Sequence, residues 1–224
     1  MITCCNLISG CIATFFAFQW NFSLALLFIV IGAVFDFFDG MTARLLHVSS
    51  PIGKELDSLA DVITFGFAPS AILFSFLCSF HQHLFFLPFA AFIMAAFSAL
   101  RLAKFNLDER QTTSFIGLPT PANALFWGSL ILWLNDNYTL PPYYIYIMLA
   151  VMLVSSYLLV AELPLFALKF KHWGWKDNEV KYIFVATSIL LIACPLIIGM
   201  GFIGIAAVIA WYVLLSAISN KRSC

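Results

Sequence analysis

Residues 22–46 have the sequence FSLALLFIVIGAVFDFFDGMTARLL. The first part of this stretch, residues 22–35, carries no charge and is almost entirely apolar. The whole stretch reaches the roughly 17–25 residues that a membrane-spanning helix needs. Asp36 and Asp39 follow inside it, although a carboxylate in a membrane helix costs about 2.5–3.5 kcal/mol on insertion scales. The stretch therefore predicts a membrane helix with a functional site near one end.

The composition of the whole chain also indicates a membrane protein. Of the 224 residues, 63% are hydrophobic and 10% are charged, and the mean hydropathy is +1.00. Soluble domains carry about 25% charged residues, so an ordinary soluble globule and a disordered chain are excluded. The eleven basic and eleven acidic residues cancel, which leaves no net field to recruit a nucleic acid.

The six cysteines fit neither a disulfide framework nor the spacing of a zinc site. Most of them lie inside apolar runs, where a thiol behaves as a small hydrophobic group. The first basic residue is Arg44. Because no basic region precedes the first apolar run, a cleaved signal peptide is not expected.

Polar and turn residues divide the apolar sequence into eight runs. Open strands cannot satisfy their backbone groups in lipid, and the sequence lacks the alternation of a barrel, so we expect an all-α polytopic bundle. Residues 1–224 are treated as a single integral-membrane domain. The predicted spans are residues 3–19, 22–46, 54–80, 84–105, 119–135, 143–161, 180–199 and 202–218.

All basic residues lie on one side of this eight-span arrangement. The second, fourth and sixth connections and the C-terminal tail carry them, whereas the odd-numbered connections carry none. Since cytoplasmic loops are enriched in Lys and Arg, both termini and the basic loops are expected in the cytoplasm. The basic residues are Arg44, Lys54, Arg101, Lys104, Arg110, Lys169, Lys171, Lys176, Lys181, Lys221 and Arg222.

Four aspartates lie in the cytoplasmic parts of the second and third predicted spans. Asp36 and Asp39 are three residues apart, and Asp57 and Asp61 are four apart, so each pair shares one helix face. The short turn around residues 49–51 makes the two helices antiparallel neighbours, which lets the pairs converge. Carboxylates that close repel one another unless they are protonated or neutralised by cations. Hard oxygen ligands favour Mg²⁺, Mn²⁺ or Ca²⁺.

Small residues and one arginine accompany the aspartates. Gly40 and Ala43 leave room for a ligand on the second span, and Gly53 thins the facing helix four residues before Asp57. Arg44 offers a planar guanidinium that suits phosphate. These features favour a metal and pyrophosphate site with a lipid substrate. The alternative is a cation- or proton-coupled transporter, because intramembrane carboxylates also serve as ion sites.

The order of these residues resembles the signature of the CDP-alcohol phosphotransferase family. Residues 36–44, DFFDGMTAR, and residues 53–61, GKELDSLAD, match all eight of its defining positions. By this resemblance the four aspartates hold two divalent cations, Mg²⁺ or Mn²⁺, and Asp61 is also the catalytic base. The residues that the resemblance assigns to CDP-diacylglycerol are Asp39, Gly40, Ala43, Arg44 and Gly53.

Other segments resemble the phosphatidylserine synthases of this family. They are residues 3–10 (TCCNLISG), 65–69 (FGFAP), 101–106 (RLAKFN) and 115–122 (FIGLPTPA). The resemblance implies transfer of the phosphatidyl group from CDP-diacylglycerol to L-serine, which yields phosphatidylserine and CMP. It also implies a homodimer in the inner or plasma membrane with a cytoplasmic active site. The six-span family core corresponds to residues 1–165, and residues 178–220 add two spans.

The acceptor alcohol is a separate question. Arg101 and Lys104 stand at the cytoplasmic end of the fourth span, where they could pair with the serine carboxylate, and Asn106 could add a hydrogen bond. Basic residues at that end are also what the orientation requires, so the sequence leaves both interpretations open. The same chemistry with glycerol 3-phosphate or inositol is the alternative within the family.

Overall fold

The computed structural model describes residues 2–45, 50–80, 86–107, 115–138, 140–165 and 178–220. These residues form helices joined by short connections, together with one pair of two-residue strands. The helices are α1 Ile2–Phe18, α2 Phe22–Leu45, α3 Pro51–Asp61, α4 Ala68–Cys78, α5 Ile93–Leu107, α6 Thr120–Asn137, α7 Tyr144–Val160, α8 Glu179–Ile198 and α9 Ile203–Asn220.

Two of the predicted spans are continuous helical segments that change their hydrogen-bonding pattern along the way. The segment Pro51–Cys78 passes from α3 through a π-helical turn, Val62–Phe67, into α4. The segment Leu87–Leu107 begins as a 3₁₀ helix, Leu87–Phe92, and continues as α5. Each predicted span therefore coincides with one helical segment of the described residues, with ends that differ by no more than about three residues.

Four of these segments are long and apolar enough to cross a membrane: Phe22–Leu45, Pro51–Cys78, Leu87–Leu107 and Glu179–Ile198. Three shorter apolar helices accompany them, namely α1, α7 and the Ile203–Ile218 part of α9. The described part of the chain is thus a helical membrane protein with four candidate spans. The total of eight transmembrane helices and the division into a core and two added spans stay predictions.

The orientation in the membrane also stays a prediction, because six of the basic residues that carry it lie outside the described residues. Among the described ones, Lys54 at the start of α3 donates to the backbone carbonyl of Asn106 at the end of α5 at 3.1 Å. This contact places both helix ends on the same side of the bundle. The basic residues outside the described ranges are Arg110, Lys169, Lys171, Lys176, Lys221 and Arg222.

The sequence did not predict the strand pair that ties α6 to α7. Strand β1, Phe115–Ile116, pairs antiparallel with β2, Pro164–Leu165. The N–H of Gly117 then donates to the carbonyl of Leu163 at 3.0 Å. Gly117 has a φ of +78°, and a Cβ there would stand 2.6 Å from the carbonyl oxygen of Leu159. Only glycine fits this position, which fixes the start of α6 against the end of α7.

The buried core lies where α1, α2, α5 and α6 surround the π-helical turn and the α4 helix that follows it. Trp127 of α6, Phe65 of the π-helical turn and Ile72 of α4 are fully buried there. In contrast, α8 exposes large apolar side chains, among them Ile189 and Ile197. A surface this apolar is typical of a protein that lipid surrounds.

Glycines allow α1 and α2 to approach the π-helical turn closely. A Cβ at Gly10 would stand 2.4 Å from Oγ1 of Thr64, and a Cβ at Gly32 would stand 2.5 Å from Cγ2 of Thr64. Thr64 is fully buried and donates to the backbone carbonyl of Asn6 at 2.9 Å. Small residues let membrane helices pack backbone against backbone. Both helices are therefore held against the segment that follows Asp61.

Candidate active site

Three carboxylates from two neighbouring segments converge. Asp36 comes from α2, whereas Asp57 and Asp61 come from α3, and one oxygen of each lies within 4.8 Å of the other two. Asp61 is buried, with 9% of its surface exposed, and the other two are half-buried. Carboxylates at this separation repel one another unless a proton or a cation lies among them. The donor set consists of hard oxygens, which fits a divalent cation such as Mg²⁺, Mn²⁺ or Ca²⁺.

The fourth predicted ligand, Asp39, does not join this group. Its carboxylate accepts a hydrogen bond from the hydroxyl of Thr3 on α1. Asp39 follows Asp36 by three residues on α2, so the two share a helix face and Asp39 borders the three carboxylates. The first helix therefore determines the position of one predicted ligand.

The first helix also contacts Asp61. Nδ2 of Asn6 donates to Oδ1 of Asp61 at 3.0 Å, and Asn6 is fully buried. Oδ1 of Asn6 has no hydrogen-bond partner among the described residues. The bond occupies one oxygen of Asp61 and orients its carboxylate.

The sequence patterns do not identify Thr3 or Asn6 as site residues. Both lie in residues 3–10, a segment that the sequence analysis uses only as part of the family resemblance. A signal was nevertheless available, because Thr3 and Asn6 are three residues apart and share one face of a mostly apolar helix with Ser9. Polar side chains on one face of a membrane helix usually point to the bundle interior or to a site.

The π-helical turn Val62–Phe67 begins directly after Asp61. Pro69 has no backbone N–H, so a regular α-helix would leave the carbonyl of Phe65 unpaired. The ladder widens instead, and the N–H of Ala68 donates to the carbonyl five residues earlier. Single π-helical turns of this kind are frequent at functional sites. Here the turn separates the site-bearing α3 from α4, which packs in the core.

The residues predicted to bind the nucleotide lie where α2 ends and α3 begins. Gly40, Ala43 and Arg44 are exposed, and a Cβ on Gly40 would meet only Nη2 of Arg44, at 3.9 Å. Nε of Arg44 donates to the carbonyl of Gly40 at 2.9 Å. The N–H of Gly53 donates to Oγ of Ser50, the N-cap of α3, at 2.9 Å. Gly53 thus accommodates the helix cap, and its contact with a ligand stays a prediction.

Asn106 ties α5 to the helix that carries two of the aspartates. Nδ2 of Asn106 donates to Oγ of Ser58 at 2.8 Å. Ser58 directly follows Asp57. Together with the bond from Lys54 to the Asn106 carbonyl, this contact holds the end of α5 against α3, beside the three carboxylates.

Arg101 and Lys104 on α5 differ in burial. Arg101 is half-buried, whereas Lys104 is exposed. The guanidinium of Arg101 stands over the ring of Phe105, 5.2 Å from the ring centroid. It also interacts electrostatically with Asp61. Arg101 therefore lies near enough to Asp61 to feel its charge, and its contact with a substrate stays a prediction.

Several known proteins have sequences similar to this chain over much of its length. The model of the CDP-alcohol phosphatidyltransferase family matches residues 1–158. The CDP-diacylglycerol–serine O-phosphatidyltransferase of Bacillus subtilis is 40% identical over 142 residues, which cover 62% of this chain and 75% of that protein. The protein of the same name from Helicobacter pylori is 30% identical over 225 residues, which cover 99% of this chain and 94% of its own. This chain belongs to the CDP-alcohol phosphatidyltransferase family.

Proposed function

We propose that this enzyme transfers the phosphatidyl group of CDP-diacylglycerol to L-serine, which yields phosphatidylserine and CMP in phospholipid biosynthesis. The observation that carries the proposal is the convergence of Asp36 of α2 with Asp57 and Asp61 of α3, whose oxygens lie within 4.8 Å of one another. The relatives that match the chain over most of its length are named for this reaction.

Two divalent cations, Mg²⁺ or Mn²⁺, are assigned to the aspartates. Asp36, Asp57 and Asp61 provide converging oxygens, and Asp39 completes the set from the position in which Thr3 holds it. When bound, such cations neutralise the pyrophosphate charge that grows as the phosphoanhydride bond breaks.

Asp61 is assigned the role of general base. Its Oδ1 accepts from Asn6, which leaves Oδ2 to take the proton of the serine hydroxyl. The serine oxygen then forms a bond to the phosphorus that carries diacylglycerol, and the bond between that phosphorus and the CMP oxygen breaks. CMP departs with the bonding electron pair, and the proton rests on Asp61.

Arg101 is assigned to the serine carboxylate. Its guanidinium lies over Phe105 and near enough to Asp61 to interact with it electrostatically. A carboxylate bound to Arg101 would therefore bring the serine hydroxyl toward the base. Lys104 lies three residues further along the exposed face of α5 and adds positive charge. Asn106 holds α5 against α3 through its Nδ2 and offers its side-chain Oδ1 to the serine ammonium group.

The nucleotide is assigned to the end of α2. Gly40 and Ala43 keep that end free of bulk, and the exposed guanidinium of Arg44 suits a phosphate. The acyl chains stay in the bilayer, so we infer a site at the membrane surface. The proposal also places both termini and the site in the cytoplasm and treats the enzyme as a homodimer.

Release of CMP by the purified protein tests this function. The protein in detergent would receive CDP-diacylglycerol, Mg²⁺ or Mn²⁺, and one acceptor at a time: L-serine, glycerol 3-phosphate, inositol or water. We expect CMP release that depends on serine and on the metal. Release with another alcohol would keep the chemistry and overturn the assignment of Arg101.

The competing function is a transporter that uses the same aspartates. A transporter would move a cation or solute across sealed vesicles without CDP-diacylglycerol. Vesicle uptake without CMP release under any acceptor, from protein whose melting curve shows that it is folded, would favour the transporter over the transferase.

A further inference from the structure

The hydrogen bond from Thr3 to Asp39 joins α1 to the end of α2 that carries the site. Helix α1 ends at Phe18 and α2 begins at Phe22, so the two helices run antiparallel from a short connection. Thr3 and Asp39 each lie roughly 25 Å along their helix from that connection. Helix α1 packs against α2 more extensively than against the other described elements. The contact between Thr3 and Asp39 therefore belongs to the main packing of the two helices.

The hydroxyl of Thr3 is free to leave its own helix. A threonine inside a helix commonly donates to the carbonyl four residues earlier, and Thr14 of α1 does so to Gly10 at 2.9 Å. Thr3 is the second residue of α1, so the helix holds no such carbonyl for it. A hydroxyl has one proton to donate, and that of Thr3 goes to Oδ2 of Asp39.

This bond orients Asp39 in a site that water reaches only in part. Thr3 is 6% exposed, and Asp39 is half-buried. Because Oδ2 takes the bond from Thr3, the direction of Oδ1 is set as well. Carboxylates that bind metals are usually held by a hydrogen bond of this kind, and loss of the partner typically weakens metal binding 10- to 100-fold.

Helix α1 contacts one aspartate on each of the two site helices. Asn6 donates to Asp61 of α3, and Thr3 donates to Asp39 of α2. Asp39 lies outside the group of three converging carboxylates, so Thr3 acts on a ligand that this group does not include. We propose that Thr3 is a positioning residue whose hydroxyl orients Asp39 and sets the affinity for one of the two cations. The role rests on the two-cation assignment of the proposed function.

Titration with Mn²⁺ tests this role without turnover. The full-length protein in detergent would be titrated, and the electron paramagnetic resonance signal of the free ion would report how many cations bind. We expect two Mn²⁺ per native chain. Thr3→Val replaces the hydroxyl with a methyl group and should weaken the binding of one Mn²⁺ about tenfold, while the affinity for the other stays the same. Thr3→Ser keeps the hydroxyl and should restore native binding.

The matched control is Thr14→Val, which removes a hydroxyl from the same helix without touching an aspartate. It should bind both Mn²⁺ as the native protein does. Asp39→Asn should weaken the same Mn²⁺ that Thr3→Val weakens, and this variant retains an oxygen that can accept from Thr3. If Asp39→Asn bound both cations with native affinity, Thr3 could not act through Asp39 and the proposal would be overturned.

The number of bound cations separates this role from the assignment on which it rests. A single Mn²⁺ per native chain would overturn the two-cation assignment and the role of Thr3 with it. Two Mn²⁺ that Thr3→Val binds with native affinity would overturn the role of Thr3 alone. Equal weakening of both Mn²⁺ in Thr3→Val would mean that Thr3 acts through the packing of α1, which also contradicts the proposal.

Discussion

Asn6 orients the carboxylate of Asp61. It donates to Oδ1 of Asp61 from inside the bundle, and a hydrogen bond to a charged group is worth about 1.5–3 kcal/mol. We expect Asn6→Leu to lower kcat by roughly 10- to 100-fold, because the carboxylate loses its orientation, while the KM for each substrate changes little.

The control for this variant is Asn137→Leu at the exposed end of α6, which should retain the kinetics of the native enzyme. Steady-state kinetics with both substrates separates the two constants. A value of kcat equal to that of the control would show that Asn6 does not position the base.

Arg101 leads to a second prediction at this scale. Arg101→Gln removes the charge that we assign to the serine carboxylate, and a charge-assisted hydrogen bond is about twice as strong as a neutral one. The KM for serine should rise at least about tenfold, while the KM for CDP-diacylglycerol stays the same. An equal rise in both constants would assign Arg101 to the nucleotide or to the fold.

The sequence could predict that Asp36, Asp57 and Asp61 belong to one site. The spacing of Asp57 and Asp61 places both on one helix face, and the short turn before α3 brings that face near Asp36. It could not predict that the hydroxyl of Thr3 donates a hydrogen bond to Asp39 or that the amide of Asn6 donates one to Asp61. Those contacts join residues 36 and 55 positions apart. Contacts of this range depend on how whole helices pack, and local spacing carries no information about it.

At the scale of helices, the close approach of α1 to the π-helical turn holds the site together. A Cβ at Gly10 would stand 2.4 Å from Oγ1 and 2.8 Å from the backbone Cα of Thr64. We expect Gly10→Ala to destabilise the fold by about 1–3 kcal/mol, as overpacking does, and to lower activity because α1 carries Thr3 and Asn6.

Thermal unfolding in detergent measures this effect. The matched control is Gly40→Ala, since a Cβ at Gly40 would meet only Nη2 of Arg44, at an ordinary contact distance of 3.9 Å; this change should not lower the melting temperature. An unchanged melting temperature in Gly10→Ala would indicate that α1 does not pack against the turn in this way.

The helices themselves were predictable, whereas their internal irregularities were not. Apolar runs between polar residues determine where a membrane helix begins and ends, so the predicted spans coincide with the observed segments. The π-helical turn after Asp61 changes the hydrogen-bond register without changing composition, and Pro69 is its only local signal. The strand pair Phe115–Ile116 with Pro164–Leu165 is too short to produce an alternating pattern.

At the scale of the whole molecule, a divalent cation should stabilise the fold as well as support turnover. A cation that binds only the folded protein at 100 times its Kd contributes about 2.7 kcal/mol. We therefore expect Mn²⁺ to raise the melting temperature of the chelator-treated protein, and we expect Asp36→Asn or Asp57→Asn to remove most of that rise. The same rise in both variants would place the cation elsewhere.

The central claim is that Asp61 takes the proton when serine attacks the phosphatidyl phosphorus. Incorporation of radiolabelled L-serine into lipid by the purified protein, with CDP-diacylglycerol and Mg²⁺ or Mn²⁺, tests it most directly. Asp61→Asn retains an oxygen that can accept the bond from Asn6, and Asp136→Asn, at an exposed position on α6, is the control. We predict that Asp61→Asn lowers incorporation by roughly 10²–10⁴-fold without loss of the fold, and that Asp136→Asn does not. Incorporation by Asp61→Asn at the rate of the control would contradict the account.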